Sequence, residues 1–395
     1  MSGVLTPPPL GLYVHLPWCV QKCPYCDFNS HALRGDLPES DYIGALLRDA
    51  EGEAARANGR TVETIFIGGG TPSLFSAEAI TRLLRGLGER LPIAANAEIT
   101  LEANPGTLEA GRFKGFLDAG INRLSIGVQS FDDAHLRRLG RIHGGGEASR
   151  AVEAAQRAGF ERINLDLMHG LPAQSGGEAL ADVEQALALG IRHLSHYQLT
   201  LEPGTAFHAR PPTLPDEDRL ADIEAACAER IAERQLQRYE VSAWAVPGEE
   251  CRHNLNYWRF GDYLAIGAGA HGKVSQADGR IQRYSKLRMP RQYQTHAGTP
   301  PATAETRPVT MAERPLEYLM NALRLTAGVP MNEALARTGL TRDAFEPALS
   351  EAREQALLVD DPAWLQATPH GQRFLDDLLS RFLYVAPGTA EVRSG

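Results

Sequence analysis

Six short apolar runs recur roughly every 25 to 50 residues: LGLYVHL at 10–16, TIFIGGG at 64–70, AEITLEA at 97–103, RLSIGVQ at 123–129, INLDLMHG at 163–170 and HLSHYQLT at 193–200. Amphipathic stretches such as DYIGALLRDAEGEAARA and SAEAITRLLRGLGERL fill the gaps between them. Runs like TIFIG and INLDL are apolar at nearly every position, as strands covered on both faces must be, so they predict a parallel sheet with helices outside. Right-handed crossovers then curl the six βα units into an α/β partial (β/α)6, TIM-like barrel. Helix-start signals agree: Ser76 precedes AEAITRLL as an N-cap, and NPGTLEAG turns into a helix after Pro105.

The pattern changes from about residue 238. YEVSAWA, HNLNYW and LAIGAGAHGKV read as extra strands and loops that close over the barrel mouth. A Pro- and Thr-rich stretch, GTPPATAETRPVT, reads as a linker to a small helical lobe near residues 311 to 385, whose strand, turn, strand and helix order suggests a winged helix. The expected division is a barrel over 1–245, a barrel-closing extension over 246–300 and a C-terminal domain over 301–395. With 395 residues the chain can bury a large core. The formal net charge of −9, with no basic tract, argues against nucleic acid as a main partner, for the winged lobe as for the barrel. No signal peptide or membrane span is read near the N-terminus, where prolines interrupt every apolar stretch, so a cytoplasmic location is expected.

In barrels of this kind the chemistry sits on the loops after the strands. The unusual residues fall there: Cys19 follows YVHL, the glycines follow TIFI, Glu102 closes AEITL, Gln129 follows RLSIGV and Asp166 sits in INLDL. Cys19, Cys23 and Cys26 have CxxxCxxC spacing. A structural zinc site wants four protein ligands, whereas a cubane iron-sulfur cluster offers one iron per ligand, so three thiolates leave one iron open. A Cys3His zinc site completed by His15 or His31 is the alternative, and thiols gathered by coincidence a second. Phe28 stands where a further thiol would fall two positions past Cys26, and it cannot ligate. Cys227 and Cys251 lie apart and read as ordinary buried thiols. The glycines of GGGTP, at 68–72, either let backbone approach a ligand closely or simply make a tight turn.

The CxxxCxxC spacing after a strand resembles the radical S-adenosylmethionine superfamily. More narrowly, YVHLPWCVQKCPYCDF, GGGTPS, LEANP, RLSIGVQSF, NLDLMHGLP and the terminal lobe resemble its oxygen-independent coproporphyrinogen III oxidase-like group, and HNLNYW resembles the signature of that group's heme chaperone (HemW-like) branch. The resemblance implies a 4Fe-4S cluster on Cys19, Cys23 and Cys26, with S-adenosylmethionine chelating the open iron. It implies contacts to that nucleotide from Tyr13, Tyr25, Gly69, Gly70, Thr71, Glu102, Gln129, Arg141 and Asp166. It also implies heme as ligand, transfer of heme to an acceptor protein, and His253, beside Asn254 and Asn256, as a candidate axial ligand. His15, His169 and His271 compete for that role, and no catalytic residue is assigned. The decarboxylating branch typically has a longer segment before the cluster and a fourth nearby cysteine, whereas here 18 residues precede Cys19 and Phe28 replaces the thiol. Radical decarboxylation of coproporphyrinogen and zinc hydrolysis on a barrel remain the rival activities.

Overall fold

The computed structural model describes residues 5, 7–106, 111–346 and 348–383. All six anticipated strands form: β1 (Leu10–Leu16), β2 (Val62–Gly69), β3 (Ile93–Ala103), β4 (Arg123–Gln129), β5 (Ile163–His169) and β6 (His193–Gln198). They pair in sequence order, all parallel. Beyond β6 the sheet continues antiparallel through β8 (Ala243–Ala245) to β7 (Gln237–Glu240). On the other side of β1 lies β9 (Asp262–Ile266), also parallel to it, followed by antiparallel β10 (His271–Ser275), β11 (Ile281–Lys286) and β12 (Thr303–Pro308). Among the described residues β7 and β12 are the two edges, so the barrel is open.

The sheet's outer face packs on helices α1 (Glu39–Ala57), α2 (Ala77–Gly88), α3 (Phe113–Ala119), α4 (Gly145–Ala158) and α5 (Gly176–Ala188). Ile65, Ile67, Leu101, Leu124, Ile126, Leu165 and Leu167 meet Leu46, Ile80, Leu83, Phe116, Val152 and Val183 in one continuous core. Ser76 caps α2 as expected, its hydroxyl accepting from the Ala79 amide at 3.1 Å. The turn expected in NPGTLEAG lies partly outside the described residues, and the helix that follows it is α3.

Three expectations are corrected. The strands are apolar on their outer face only: Thr100, Glu102, Ser125, Asn164, Asp166 and Ser195 line an internal cavity. Period-two alternation inside INLDL carried that distinction, since Asn164 and Asp166 share one face. Secondly, GTPPATAETRPVT is not a free linker, because Thr303–Pro308 is the edge strand β12. Its prolines stand before the strand and at its last position, where a missing ladder amide costs little. Thirdly, HNLNYW is a helix rather than an extra strand or loop. HNLNYW forms α6 (Arg252–Trp258), which packs beneath the barrel against the N-terminal parts of the strands through Gly11, Thr64 and Glu98, while β9 to β12 widen the sheet.

The terminal lobe has its own core, with Tyr318, Leu319, Phe345, Leu349 and Leu365 packed around Leu5 and Phe260. Helix α7 (Arg314–Ala322) leads to a short strand at Val329–Pro330, then come helices α8 (Met331–Thr338) and α9 (Ala348–Glu354), and Trp364–Leu365 returns to pair antiparallel with that strand. That is the winged-helix order.

Candidate cofactor and ligand site

Cys19 ends a short strand after β1, and Cys23 and Cys26 lie on the loop that follows. All three thiols are free. The loop is tied down independently of them. Cys26 N–H donates to the Cys23 carbonyl at 3.2 Å, and Phe207 N–H donates to the Pro24 carbonyl at 2.9 Å. Gln21 Nε2 donates to the Gly140 carbonyl, and Asn29 Nδ2 donates to the Ala268 and Arg288 carbonyls, both at 2.9 Å. Burial pushes the Cys19 and Cys26 thiols above their usual range, Thr71 and Ser30 respectively offsetting part of the rise.

Among the described residues no three His, Cys, Asp or Glu side chains converge closely enough to hold one ion. A cubane takes each of three thiolates on a different iron, whereas a structural zinc site wants four protein ligands. His15 is unsuited as a fourth zinc ligand: its Nδ1 is engaged by the Tyr13 hydroxyl at 2.9 Å and its Nε2 by the Asn29 carbonyl at 3.0 Å. His31 Nε2 is buried without a hydrogen-bond partner, on a strand residue paired with Trp18.

A cavity of about 540 Å³ opens over the three cysteines. It gathers Tyr25, Gly69, Gly70, Thr71, Glu102, Gln129, Arg141 and Asp166, eight of the nine residues expected to contact the nucleotide. The ninth, Tyr13, lines a second cavity behind the loop. The glycines are demanded by the protein's own packing. A Cβ on Gly70 would stand 2.5 Å from the Trp18 carbonyl oxygen, and Gly69 has φ +123° with its Cβ direction filled by the His15 ring. The amides here are also spent inside the protein: Gly69 on Glu102 at 3.0 Å, Gly70 on the Leu16 carbonyl at 2.8 Å and Thr71 on the Trp18 carbonyl at 2.7 Å.

Electrostatically the cavity is short of positive charge. Burial, with Asp166 nearby, pushes Glu102 up to about 8, and burial likewise raises Asp166 although Ser125 and Asn164 hydrogen-bond it at 3.0 and 2.9 Å. Two carboxylates in a dry pocket resist ionising together unless a cation joins them. Arg141 offers only part of that charge, since its Nη2 is committed to Asn104 Oδ1 at 2.8 Å and the Gly127 carbonyl at 2.7 Å, while Nη1 points to Cys23 Sγ at 3.8 Å. Gln129, at φ +69°, accepts from the Tyr197 hydroxyl at 2.9 Å. Asn104, Ser125, Asn164 and Tyr197 complete this lining and were not singled out from sequence; inward alternation from Asp166 points to Asn164, and strand pairing from Asn164 to Ser125.

His253 sits elsewhere. It is fully buried in the barrel floor, its Nδ1 against Thr64 Oγ1 at 2.8 Å and its Nε2 against the Tyr257 hydroxyl at 2.9 Å. Burial lowers its pKa to about 3. With both nitrogens occupied, the ring in this conformation presents no lone pair to a metal. Beneath it Glu98 accepts from the His253 amide and lies 3.5 Å from Arg123, and the Cys251 thiol points to the same carboxylate at 3.6 Å. His169 is buried too, stacked on His196 with centroids 4.5 Å apart. His271 alone of the four histidines considered is exposed.

Comparison with known proteins agrees with this architecture. The sequence pattern of the Radical SAM superfamily matches residues 13–186, and that of the HemN C-terminal domain matches 309–374. The solved structure of coproporphyrinogen III oxidase (HemN) from Escherichia coli superposes with a TM-score of 0.80 at 23% identity, covering 95% of this chain and 90% of that one. The chain therefore has the radical S-adenosylmethionine fold with a HemN-type terminal lobe. Within that class it is 54% identical over 376 residues to a protein named heme chaperone HemW of Escherichia coli K12, spanning 95% of this chain and 98% of the relative. The HemW of Haemophilus influenzae is 50% identical over 380 residues, with the same coverage. The chain belongs to the heme chaperone HemW family.

Proposed function

We propose that this protein binds heme and hands it to an acceptor protein, and that it carries a 4Fe-4S cluster on Cys19, Cys23 and Cys26 with an exchangeable S-adenosylmethionine. The observation that carries the reading is the identity of 54% along 95% of the chain with a heme chaperone, together with a three-thiol mouth in which Phe28 replaces a further cysteine. When bound, the cluster supplies an electron carrier and one iron open to the amino and carboxylate groups of the nucleotide.

The residues around the thiols suit that ligand. Glu102 and Asp166 would take its positive charge and its ribose hydroxyls, releasing the strain of two crowded carboxyl groups. Arg141, already turned toward Cys23, would face the cluster and the ligand carboxylate. Tyr25 and Gln129 would shape the pocket, Gly69, Gly70 and Thr71 would bring backbone close to the methionine end, and Tyr13 would act from the second cavity. His253 would hold the floor on which these strands stand. No helix among the described residues is long and apolar enough to cross a membrane. A cytoplasmic site of action completes the proposal.

The test is anaerobic reconstitution with iron and sulfide, followed by heme titration with and without S-adenosylmethionine and then transfer to an apo-hemoprotein. Stoichiometric heme binding and transfer are expected. Conversion of coproporphyrinogen III at enzymatic rates would overturn the carrier reading, and stoichiometric zinc without acid-labile sulfide would overturn the cluster.

A further inference from the structure

Behind the cluster loop lies a second cavity of about 860 Å³, which none of the three cluster cysteines lines. It is within the size range of small-molecule sites, about 300 to 1,000 Å³. It runs along the inner face of β1 and β9 to β11, from Phe28 at the loop to Tyr257 and Tyr263 near the floor. Phe28 is 57% exposed, an unusual position for so large an apolar ring. Tyr257 and Tyr263 meet edge to face with centroids 4.5 Å apart. Such surfaces favour a flat, apolar molecule.

Two basic groups in the cavity lining, with the Glu305 carboxylate near the first of them, have no hydrogen-bond or ion-pair partner among the described residues. One is the His271 imidazole at the start of β10; the other is the Arg288 guanidinium, whose residue is held through its backbone by Asn29 and His31. The remaining cations in the lining are already matched: Arg283 with Glu317 at 2.6 Å, Lys273 with Asp262 at 3.0 Å and Lys286 with Asp49 at 2.6 Å. A free imidazole, a free guanidinium and an aromatic wall are three complements of one ligand class, an iron tetrapyrrole bearing propionates.

We propose that this second cavity is the heme site, with His271 an axial ligand to the iron and Arg288 pairing with a propionate. The inference rests on the heme-carrier reading and deepens it by naming the place and the groups. Asp27, Phe28, Gly69 and Glu102 line both cavities, so heme and nucleotide would share one wall. A second S-adenosylmethionine is the competing occupant, but its positive charge would face the unmatched Arg288.

The experiment uses the full-length, cluster-reconstituted protein and its His271→Ala and Arg288→Glu variants. Heme is titrated by absorption and electron paramagnetic resonance, and nucleotide stoichiometry is read by equilibrium dialysis. His271→Ala should lose the imidazole-ligated spectrum and weaken heme binding about tenfold or more. Arg288→Glu should weaken binding with the spectrum retained. Both should keep full cluster content and one nucleotide per chain. Wild-type heme affinity and spectrum in both variants would overturn the site while leaving the carrier reading intact, as would a second nucleotide lost only in the variants. Wild-type protein that takes up no heme would overturn the carrier reading itself.

Discussion

At the barrel mouth, Cys19, Cys23 and Cys26 point into an open cavity with Arg141, Glu102 and Asp166 around them. At the floor, His253, Cys251, Glu98 and Arg123 are the same kinds of side chain, yet they are spent on one another. The contrast teaches that donor chemistry alone does not make a site. Both ring nitrogens of His253 have partners within 2.9 Å, whereas the sulfur contacts of the thiols are long, at 3.7 Å from Ser30 to Cys26 and 3.8 Å from Arg141 to Cys23. At one end the donors face open space; at the other the His253 ring is fully engaged, although Arg123 and Cys251 line the lower part of the same cavity.

The largest effect that would break this division is at the mouth. Replacing any one of Cys19, Cys23 or Cys26 by Ser should abolish cluster assembly, read as loss of the brown absorption and of acid-labile sulfide, while Phe28→Ala should retain both. At the floor the same kind of change should act on stability instead. Glu98→Ala leaves Arg123 buried without its carboxylate and should cost about 3–5 kcal/mol in denaturant unfolding, with the cluster still loading. Cluster loss in a variant that remains folded would merge the two ends.

A third test uses pH. Glu102 titrates near 8 in the fold because burial favours its neutral form, whereas an unfolded carboxyl ionises at its usual value, so the raised folded pKa makes this group's contribution favourable at low pH and steadily lost as pH rises to about 8. A cationic ligand needs the ionised form. Nucleotide binding should therefore tighten as pH rises toward about 8, by at most about tenfold per pH unit, and Glu102→Gln should flatten that slope. Calorimetry in buffers of different ionisation enthalpy should show a proton released on binding to the wild type. Smallest, Asn29→Ala removes two ties from the cysteine loop and should cost about 1–2 kcal/mol, with slower cluster retention as the visible sign.

Much of the mouth was legible in the sequence. Strand periodicity placed the loops, and CxxxCxxC, GGGTP, LEANP and Arg141 fall where the cavity gathers them. The floor was not, because HNLNYW follows the six βα units and nothing in its pattern says which end of a barrel it will cover. Its destination is set by Glu98, a buried carboxylate far away in sequence that accepts from the His253 amide and from the Cys251 thiol just before the motif, with Arg123 as its ion-pair partner. Tyr13 precedes His15 by two residues and shares its face, and both line the second cavity. The glycines were assigned to a ligand, whereas Trp18 and His15 already require two of them.

The tethers on the cysteine loop have a practical consequence. Gln21, Asn29 and Pro24 anchor it to Gly140, Ala268 and Phe207 through bonds that involve no sulfur, and Lys22 braces it internally on the Phe28 carbonyl. Oxygen damage that strips the inorganic core would thus leave a shaped, empty socket rather than a collapsed chain, and the protein could be recharged in place without passing through refolding.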